Sequence, residues 1–139
     1  MRTVAEKMGV RAGSRAHLID APSETQAALE LPSVDLSHRL QGRFDYLHLF
    51  VRRIEDLDRR FPRLRDHLRD GGMLWVSWPK GRRLGTDLTL RDVIRIGYSH
   101  GLVESTTLAV DSTWSAIKFT RPRTDRTYHN SYGQLPGTR

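Results

Sequence analysis

The stretch Asp70-Gly71-Gly72-Met73-Leu74-Trp75-Val76-Ser77-Trp78-Pro79-Lys80 decides the fold. Its first three residues are a turn signal, because glycine adopts positive φ without a side-chain clash. Residues 73 to 76 are apolar at successive positions, which is typical of a strand covered on both faces, as in a parallel sheet between helices. Pro79 ends the strand, since proline has no N–H for the ladder. We therefore predict a central strand over Met73–Ser77, with the next three residues at its carboxyl end.

Two further strands are predicted before this one. Arg15–Asp20 is the first, and Phe44–Val51 is the second, rich in aromatic and branched residues. The segment Val34–Leu40 between them is ambiguous, with a short edge strand as one interpretation. The spacing between the two predicted strands leaves room for at most one extra strand.

Two short helices are predicted in the same part of the chain. The first covers Thr3–Met8. Ser23 and Gln26 have the spacing of a capping box, so the second helix should begin at Ser23 and run to about Leu29. Each helix stands next to a strand in the sequence, which is the alternation expected of a layered α/β protein.

A longer amphipathic segment follows the second strand. Its apolar residues fall on one helical face at Ile54, Leu57, Phe61, Leu64 and Leu68. Pro62 interrupts this face, and proline breaks or kinks a helix interior. We therefore predict one helix to about Arg60 and a second helix from Pro62.

The last helix and a hairpin complete the pattern. Thr89 and Asp92 have the spacing of a helix cap, and His100-Gly101 is a typical helix end. Leu102–Val110 and Thr113–Thr120 then form two strands, which a two-residue link would join as an antiparallel hairpin. The predicted fold is a single open, mostly parallel Rossmann-like α/β sheet, flanked by helices and ending in an antiparallel hairpin.

Composition limits the possible functions. The chain has 139 residues, which suits one domain, with residues 1–120 as the α/β domain and 121–139 as a basic tail expected to be disordered. It has no cysteine, which excludes disulfides and thiolate metal sites. No apolar run is long enough for a membrane helix and no signal peptide is visible, so we expect a cytoplasmic protein. The net charge of +7 invites a nucleic-acid interpretation, although an arginine-rich composition also follows from a GC-rich genome.

The sequence lacks the motifs of the common cofactor and catalytic sites. A Rossmann cofactor site needs glycines after the first strand, where this chain has Asp20-Ala21-Pro22. We therefore predict no bound cofactor and no measurable affinity for S-adenosylmethionine. Phosphate-loop, nucleophile-elbow and zinc-protease motifs are also absent, and the histidines have no metal-ligand spacing. His48, inside an apolar strand, is interpreted as a core residue.

The remaining signal is a set of basic residues that follow the strands. In an open parallel sheet the loops after the strands meet at one edge, where ligands bind. Five cations are expected to converge there around Asp20 and Trp78, which suits a phosphate or carboxylate. Trp78 is either a flat apolar face for the ligand or part of the core. The candidate ligand-binding residues are Asp20, Arg52, Arg53, Trp78, Lys80, Arg82, Arg83 and Asp87.

Several segments together resemble one bacterial family, catalogued as domain of unknown function 3052. The resemblance runs from about Lys7 to Arg121, and Trp75-Val76-Ser77-Trp78-Pro79-Lys80 is its most specific element. The other matching segments are Phe44 to Phe50, Thr86-Asp87-Leu88, Gly101-Leu102-Val103, Ala109-Val110-Asp111 and Trp114-Ser115. The resemblance implies a reduced sheet like that of class I methyltransferases, and it implies no activity.

Three functional interpretations remain open. The first is a non-catalytic module that binds a small anion or a protein partner, favoured by the missing glycine-rich loop. The second is an enzyme related to S-adenosylmethionine-dependent methyltransferases. The third is a non-specific nucleic-acid binder, for which only Tyr128 and Tyr132 in the tail offer stacking faces. The sequence specifies neither the ligand nor the oligomeric state.

Overall fold

The computed structural model describes residues 1–137 and contains a single six-stranded sheet. The strands are β1 (Arg15–Ile19), β2 (Asp35–Leu36), β3 (Phe44–Phe50), β4 (Leu68–Pro79), β5 (Val103–Ala109) and β6 (Trp114–Thr120). Their order across the sheet is β2-β1-β3-β4-β6-β5. The first four strands are parallel to one another, whereas β6 is antiparallel to both β4 and β5. The predicted fold class, an open and mostly parallel sheet ending in an antiparallel hairpin, is confirmed.

Helices cover both faces of this sheet. They are α1 (Val4–Met8), α2 (Ser23–Leu29), α3 (Ile54–Asp66) and α4 (Leu90–Ser99). Side chains from α1 and α2 pack with Tyr46 and Trp75 on one face. Side chains from α3 and α4 pack with Leu47 and Val76 on the other. Because β3 and β4 are covered on both faces, their residues are buried at successive positions, as the apolar runs in the sequence predicted.

The predicted break in the long helix is wrong. α3 runs without interruption through Pro62, and the helix residues on either side of it, Phe61 and Leu64, are buried in the core. Pro62 itself is half-buried, so its ring is accommodated at the edge of the packed face. The burial of this apolar stripe outweighs the one helical hydrogen bond that proline removes. Leu68, which we placed on the same helical face, instead begins β4.

The turn signal before the central strand produces an irregularity inside a longer strand. β4 starts at Leu68, five residues earlier than predicted, and pairs with β3 on both sides of the signal. Phe44 is opposite Leu68 and Tyr46 is opposite Met73, so residues 69–72 bulge out against Asp45 alone. Gly71 adopts a φ of 78° within the bulge, which is the conformation that glycine tolerates.

Of three smaller predictions, about two helix starts and one edge strand, one needs correction. The N-cap of α2 is Pro22, which makes no side-chain cap hydrogen bond, so Ser23 and Gln26 do not form a capping box. The fixed φ of proline suits the extended N-cap conformation, and the amide of Gln26 donates to the Pro22 carbonyl. The predicted cap of α4 is confirmed, because Thr89 and Asp92 form a reciprocal capping box. The short segment β2 is confirmed as an edge strand.

The chain after β6 contacts the domain within residues 121–137. The Arg121 guanidinium donates to the carbonyls of Arg65 and Leu68 at 2.8 Å each, and the Asn130 amide donates to Glu104 at 2.8 Å. Tyr128 and Leu135 pack against the core. The predicted tail also includes residues 138 and 139, which lie outside the described residues. The domain division at residue 120 stays a prediction. Within residues 1–137, no helix has the length and apolar character needed to cross a membrane.

Substituting Gly97 tests the packing of α4 on the sheet. A Cβ at this position would overlap the ring edge of Phe119, which is fully buried and packs edge-on against Phe61. We expect Gly97→Ala to lower the free energy of unfolding by about 1–3 kcal/mol, as overpacking of a filled core does. Arg95→Ala is the control, because Arg95 is exposed in the same helix, and it should change stability by less than about 1 kcal/mol. Chemical denaturation that shows Gly97→Ala to be neutral would contradict this packing.

Candidate ligand-binding cleft

The order of the strands opens a cleft at the carboxyl ends of β1 and β3. These two strands are neighbours, but β2 lies outside β1 while β4 lies on the far side of β3. The connection from β1 therefore leaves to the face of α2, and the connection from β3 leaves to the face of α3. Ligands of open α/β sheets bind in the crevice that this reversal creates. Here the crevice is a cleft of about 790 Å³, a size that suits a small ligand.

The inner wall of the cleft is aromatic. Phe50 at the end of β3 and Trp114 at the start of β6 both line it, with ring centroids 5.4 Å apart in an edge-on arrangement. Both rings are largely buried, at 3% and 6% exposure. Val51 continues the same apolar surface. This wall suits a flat or apolar part of a ligand.

Arg52 and Arg53, both predicted as ligand-binding residues, line the cleft beside this apolar wall. Both side chains are exposed. Arg53 donates weakly, at 3.3 Å to the Gly85 carbonyl and at 3.5 Å to Asp87. Arg52 makes no side-chain hydrogen bond or ion pair with any residue in 1–137, while its carbonyl accepts from the Thr86 hydroxyl at 2.5 Å. Its guanidinium is therefore available to a ligand.

Asp20 lies in the cleft as predicted, but its carboxylate already has a partner. Arg60 of α3 donates to it at 2.7 Å, an ion pair that reaches from one wall of the cleft to the other. Asp20 also adopts a φ of 59°, in the left-handed region that short polar residues tolerate better than others. The sequence analysis missed Arg60. It lies on the polar side of α3, and only the strand order shows that this side faces the end of β1.

The β5–β6 turn closes the cleft through Asp111. This carboxylate accepts from the amides of Thr113 and Trp114 at 2.8 Å and from the hydroxyl of Thr25 in α2 at 2.9 Å. Burial raises the pKa of Asp111, but these hydrogen bonds outweigh burial, and with the nearby charge of Lys80 they leave the pKa below its ordinary value. Asp111 is therefore ionised and its oxygens are already occupied by the protein.

The other predicted site residues do not enter the cleft. Trp78 packs in the core with Leu88 and Val93 and does not line the cleft. Of the two interpretations of Trp78 drawn from the sequence, the structure therefore supports the core residue and not the ligand-binding face. The reason is the strand alternation: Leu74, Val76 and Trp78 all point to the face of α3 and α4.

The loop Lys80–Gly85 separates its own cations from the cleft. Arg82 and Arg83 are both exposed. Arg82 donates to the carbonyl of Asp87 at 3.5 Å, and Arg83 donates to the carbonyl of Lys80 at 3.2 Å. The side chain of Asp87 accepts from the amide of Ile54 at 2.8 Å, which satisfies a donor at the start of α3. Of the five cations expected to converge, the structure brings Arg52 and Arg53 to the cleft. Lys80, Arg82, Arg83 and Asp87 do not line it, and their roles in binding stay predictions.

A buried polar network lies behind the aromatic wall. His48 is fully buried, with its Nδ1 atom 2.6 Å from the Tyr46 hydroxyl and its Nε2 atom 2.6 Å from the Ser77 hydroxyl. Its ring stacks on Phe50 at a centroid distance of 4.3 Å. Burial lowers the pKa of His48 to about 3, so the imidazole is neutral. All three polar groups are shielded from solvent, which confirms His48 as a satisfied core residue.

The residues of the cleft do not fit S-adenosylmethionine well. The chain has no glycine between Gly13 and Gly42, so the connection after β1 lacks the residues that let a backbone approach a cofactor closely. Pro22 removes one amide donor from this connection, and Arg60 occupies the carboxylate of Asp20. β2 is followed by Ser37 and His38, where a carboxylate would be needed to hold a ribose. Residues 1–137 also contain no group of three or more acidic or histidine side chains arranged to hold a metal ion.

Comparisons with solved structures identify the fold. The magnesium protoporphyrin IX methyltransferase of Synechocystis PCC 6803, with bound SAH, is similar with a TM-score of 0.58 and 12% identity over 86% of this chain and 80% of that one. The ribosomal protein L11 methylase of Lactobacillus delbrueckii subsp. bulgaricus has a TM-score of 0.56 and 14% identity, covering 86% and 76% of the two chains. The N-methyltransferase NodS of Bradyrhizobium japonicum WM9 has a TM-score of 0.53 and 14% identity, covering 86% and 91%.

These similarities show that the domain has the Rossmann-like fold of class I methyltransferases. The identities of 12% and 14% establish the fold and not the activity. No family model matches the chain, and no curated protein matches it in sequence. The resemblance to the uncharacterised bacterial family therefore stays a prediction.

Replacing Trp78 tests its assignment to the core. Removal of a buried large side chain leaves a cavity, so we expect Trp78→Ala to lower the free energy of unfolding by about 3–5 kcal/mol. Leu84→Ala is the control, because Leu84 is an exposed apolar residue at the rim of the cleft, and it should change stability by less than about 1 kcal/mol. Equal small effects in urea unfolding would show that Trp78 is a surface residue.

The buried His48 predicts an acid dependence of stability. In the folded state its pKa is about 3, whereas the unfolded value is 6.5, so below pH 6.5 the unfolded chain binds a proton that the folded chain does not. As the pH is lowered from 6.5 towards 3, the free energy of unfolding should therefore fall by up to about 1.4 kcal/mol per pH unit. In His48→Gln, the free energy of unfolding measured across this pH range should lack the part of the pH dependence that His48 contributes. The exposed control His38→Gln should keep it, and identical slopes in the two variants would contradict the assignment.

Proposed function

We propose that this protein is a non-catalytic relative of class I methyltransferases that binds a small anionic ligand in the cleft at the ends of β1 and β3. The observation that carries the proposal is the pairing of exposed Arg52 and Arg53 with the apolar wall of Phe50 and Trp114. Guanidinium groups bind phosphate and carboxylate oxygens through paired hydrogen bonds. A phosphorylated ligand with a flat apolar part, such as an adenine nucleotide, matches both surfaces.

The charges around the cleft support an anion even though carboxylates also line it. Asp20 is neutralised by Arg60, and Asp111 is occupied by two amides and a hydroxyl. Asp56 pairs with Arg59 at 3.0 Å. Glu24 lies in the first turn of α2, on the wall across from the arginines. The guanidiniums of Arg52 and Arg53 therefore remain available, and among residues 1–137 no carboxylate is closer to them than Asp87, at 3.5 Å from Arg53.

A second candidate function is S-adenosylmethionine-dependent methyl transfer. The structural comparisons favour it, since the similar structures are methyltransferases and some were solved with SAM or SAH bound. The cleft of this chain lies at the position where an open α/β sheet holds a ligand. The connection Asp20-Ala21-Pro22 argues against the cofactor, because it has neither glycine nor a full set of amide donors. The two candidates use the same cleft and differ in the ligand.

Titration calorimetry with ADP, inorganic phosphate and S-adenosylmethionine tests the proposal. We expect ADP to bind, and Arg52→Ala to weaken it by about tenfold, a loss of about 1.4 kcal/mol. Arg11→Ala is the matched control, because Arg11 is exposed, lies before β1 and makes no side-chain hydrogen bond or ion pair within the described residues.

The outcome of that titration separates the candidates. Binding of ADP that depends on Arg52 and not on Arg11 supports the anion module. Micromolar binding of S-adenosylmethionine without binding of ADP overturns it in favour of the methyltransferase. Failure of all three probes to bind contradicts both.

A further inference from the structure

A second concave surface lies on the opposite side of Arg60, where no helix covers the sheet. β2 has only two residues and leads through residues 37–43 directly into β3, so no helix of the described part of the chain packs over β1 and β2 on the face of α3. His17 and Ile19 of β1 are half-buried as a result. Together with α3 and Leu40 they form a groove of about 340 Å³, which we name the β1–α3 groove.

The β1–α3 groove has an apolar floor and a basic rim. Ile19, Leu40 and Leu64 form the floor. Arg59, Arg60 and Arg63 of α3 form the rim, and no carboxylate is among the described residues that line the groove. The exposed side chain of Arg63 makes no hydrogen bond or ion pair with any other residue in 1–137. Arg59 is 64% exposed in its pair with Asp56, a contact that contributes little and is easily exchanged.

We propose that the β1–α3 groove docks an acidic segment of a partner protein. An apolar side chain of that segment would rest on the floor, while its carboxylates would meet the arginine rim. Charge complementarity supports this occupant, because an open apolar strip of sheet is bordered on one side by three guanidiniums. Arg60 is already paired with Asp20 and Arg59 is weakly paired with Asp56, but Arg63 has no counter-ion among the described residues. Such an arrangement adds electrostatic specificity to apolar burial.

The same features favour a protein over a nucleic acid. Single-stranded nucleic acids bind through aromatic side chains on which their bases stack, and no Phe, Tyr or Trp lines this groove. The aliphatic floor would remain exposed under a phosphate backbone held only by the rim. A second copy of this chain is a poor match, because its own net charge is +7. The groove shares Arg60 with the ligand cleft, but Arg63 and Leu40 do not line that cleft.

Fluorescence anisotropy with a labelled peptide of alternating Glu and Leu tests the docking surface. A poly-Glu peptide of equal length and a labelled single-stranded oligonucleotide serve as comparison probes. We expect the Glu–Leu peptide to bind more tightly than poly-Glu, and Arg63→Glu to weaken it at least tenfold. Arg11→Glu makes the same charge change at an exposed position outside the groove and should leave the affinity within about twofold. Leu40→Ser, checked for folding by circular dichroism, should reduce the preference for the Glu–Leu peptide over poly-Glu.

Each result decides the proposal. Loss of peptide binding in Arg63→Glu, with ADP binding unchanged in that variant, supports a docking surface separate from the cleft. Equal binding of poly-Glu and the Glu–Leu peptide overturns the proposal, because the floor would then play no part. Equal effects of Arg63→Glu and Arg11→Glu, or no peptide binding at all, also overturn it. Tighter binding of the oligonucleotide, with the same dependence on Arg63, would assign the surface to nucleic acid instead.

Discussion

The parallel pairing of β1 with β3 is the constraint on which the rest of this structure depends. Ala16 is opposite Tyr46 and Ile19 is opposite Leu49, so the two strands end together at one edge of the sheet. Parallel neighbours cannot be joined by a tight turn, and each connection must cross a face of the sheet. The connections leave β1 and β3 towards opposite faces, and the gap between them is the cleft. The positions of Arg52 and Arg53 in the cleft and the ion pair of Asp20 with Arg60 both follow from that divergence.

The antiparallel strand β6 completes the cleft from the other side. It enters the sheet beside β4, and its first residue, Trp114, supplies half of the aromatic wall. The turn before it is fixed to α2 by the hydrogen bond from Thr25 to Asp111. Behind this wall, His48 links β3 to β4 through Ser77, so the polar network holds the two central strands in register. The aromatic wall therefore rests on a rigid support.

Much of the fold was predictable from the sequence because local signals agreed with it. The apolar runs of β3 and β4 predicted strands covered on both faces, and Thr89 with Asp92 predicted the start of α4. The errors arose where tertiary packing overrides a local preference. Pro62 remains inside α3 because its neighbours Phe61 and Leu64 are buried. The glycines at 71 and 72, predicted as a turn before the central strand, form a bulge within it.

The site was less predictable, because it depends on strand order and on side-chain direction. Arg52 and Arg53 could be found, since they directly follow a strand. Arg60 and Trp114 could not, because only the assembled sheet brings α3 and β6 to the end of β1. The sequence position of Trp78 was compatible with either a ligand-binding face or the core, and strand alternation turns the side chain into the core.

A crystal structure of the protein with ADP would test most directly whether this methyltransferase-like cleft binds an anion through Arg52 and Arg53. We expect phosphate oxygens about 2.7–3.2 Å from the guanidinium of Arg52 or Arg53, with the base against Phe50 and Trp114. ADP bound elsewhere on the molecule, with S-adenosylhomocysteine occupying the cleft in a parallel soak, would contradict it.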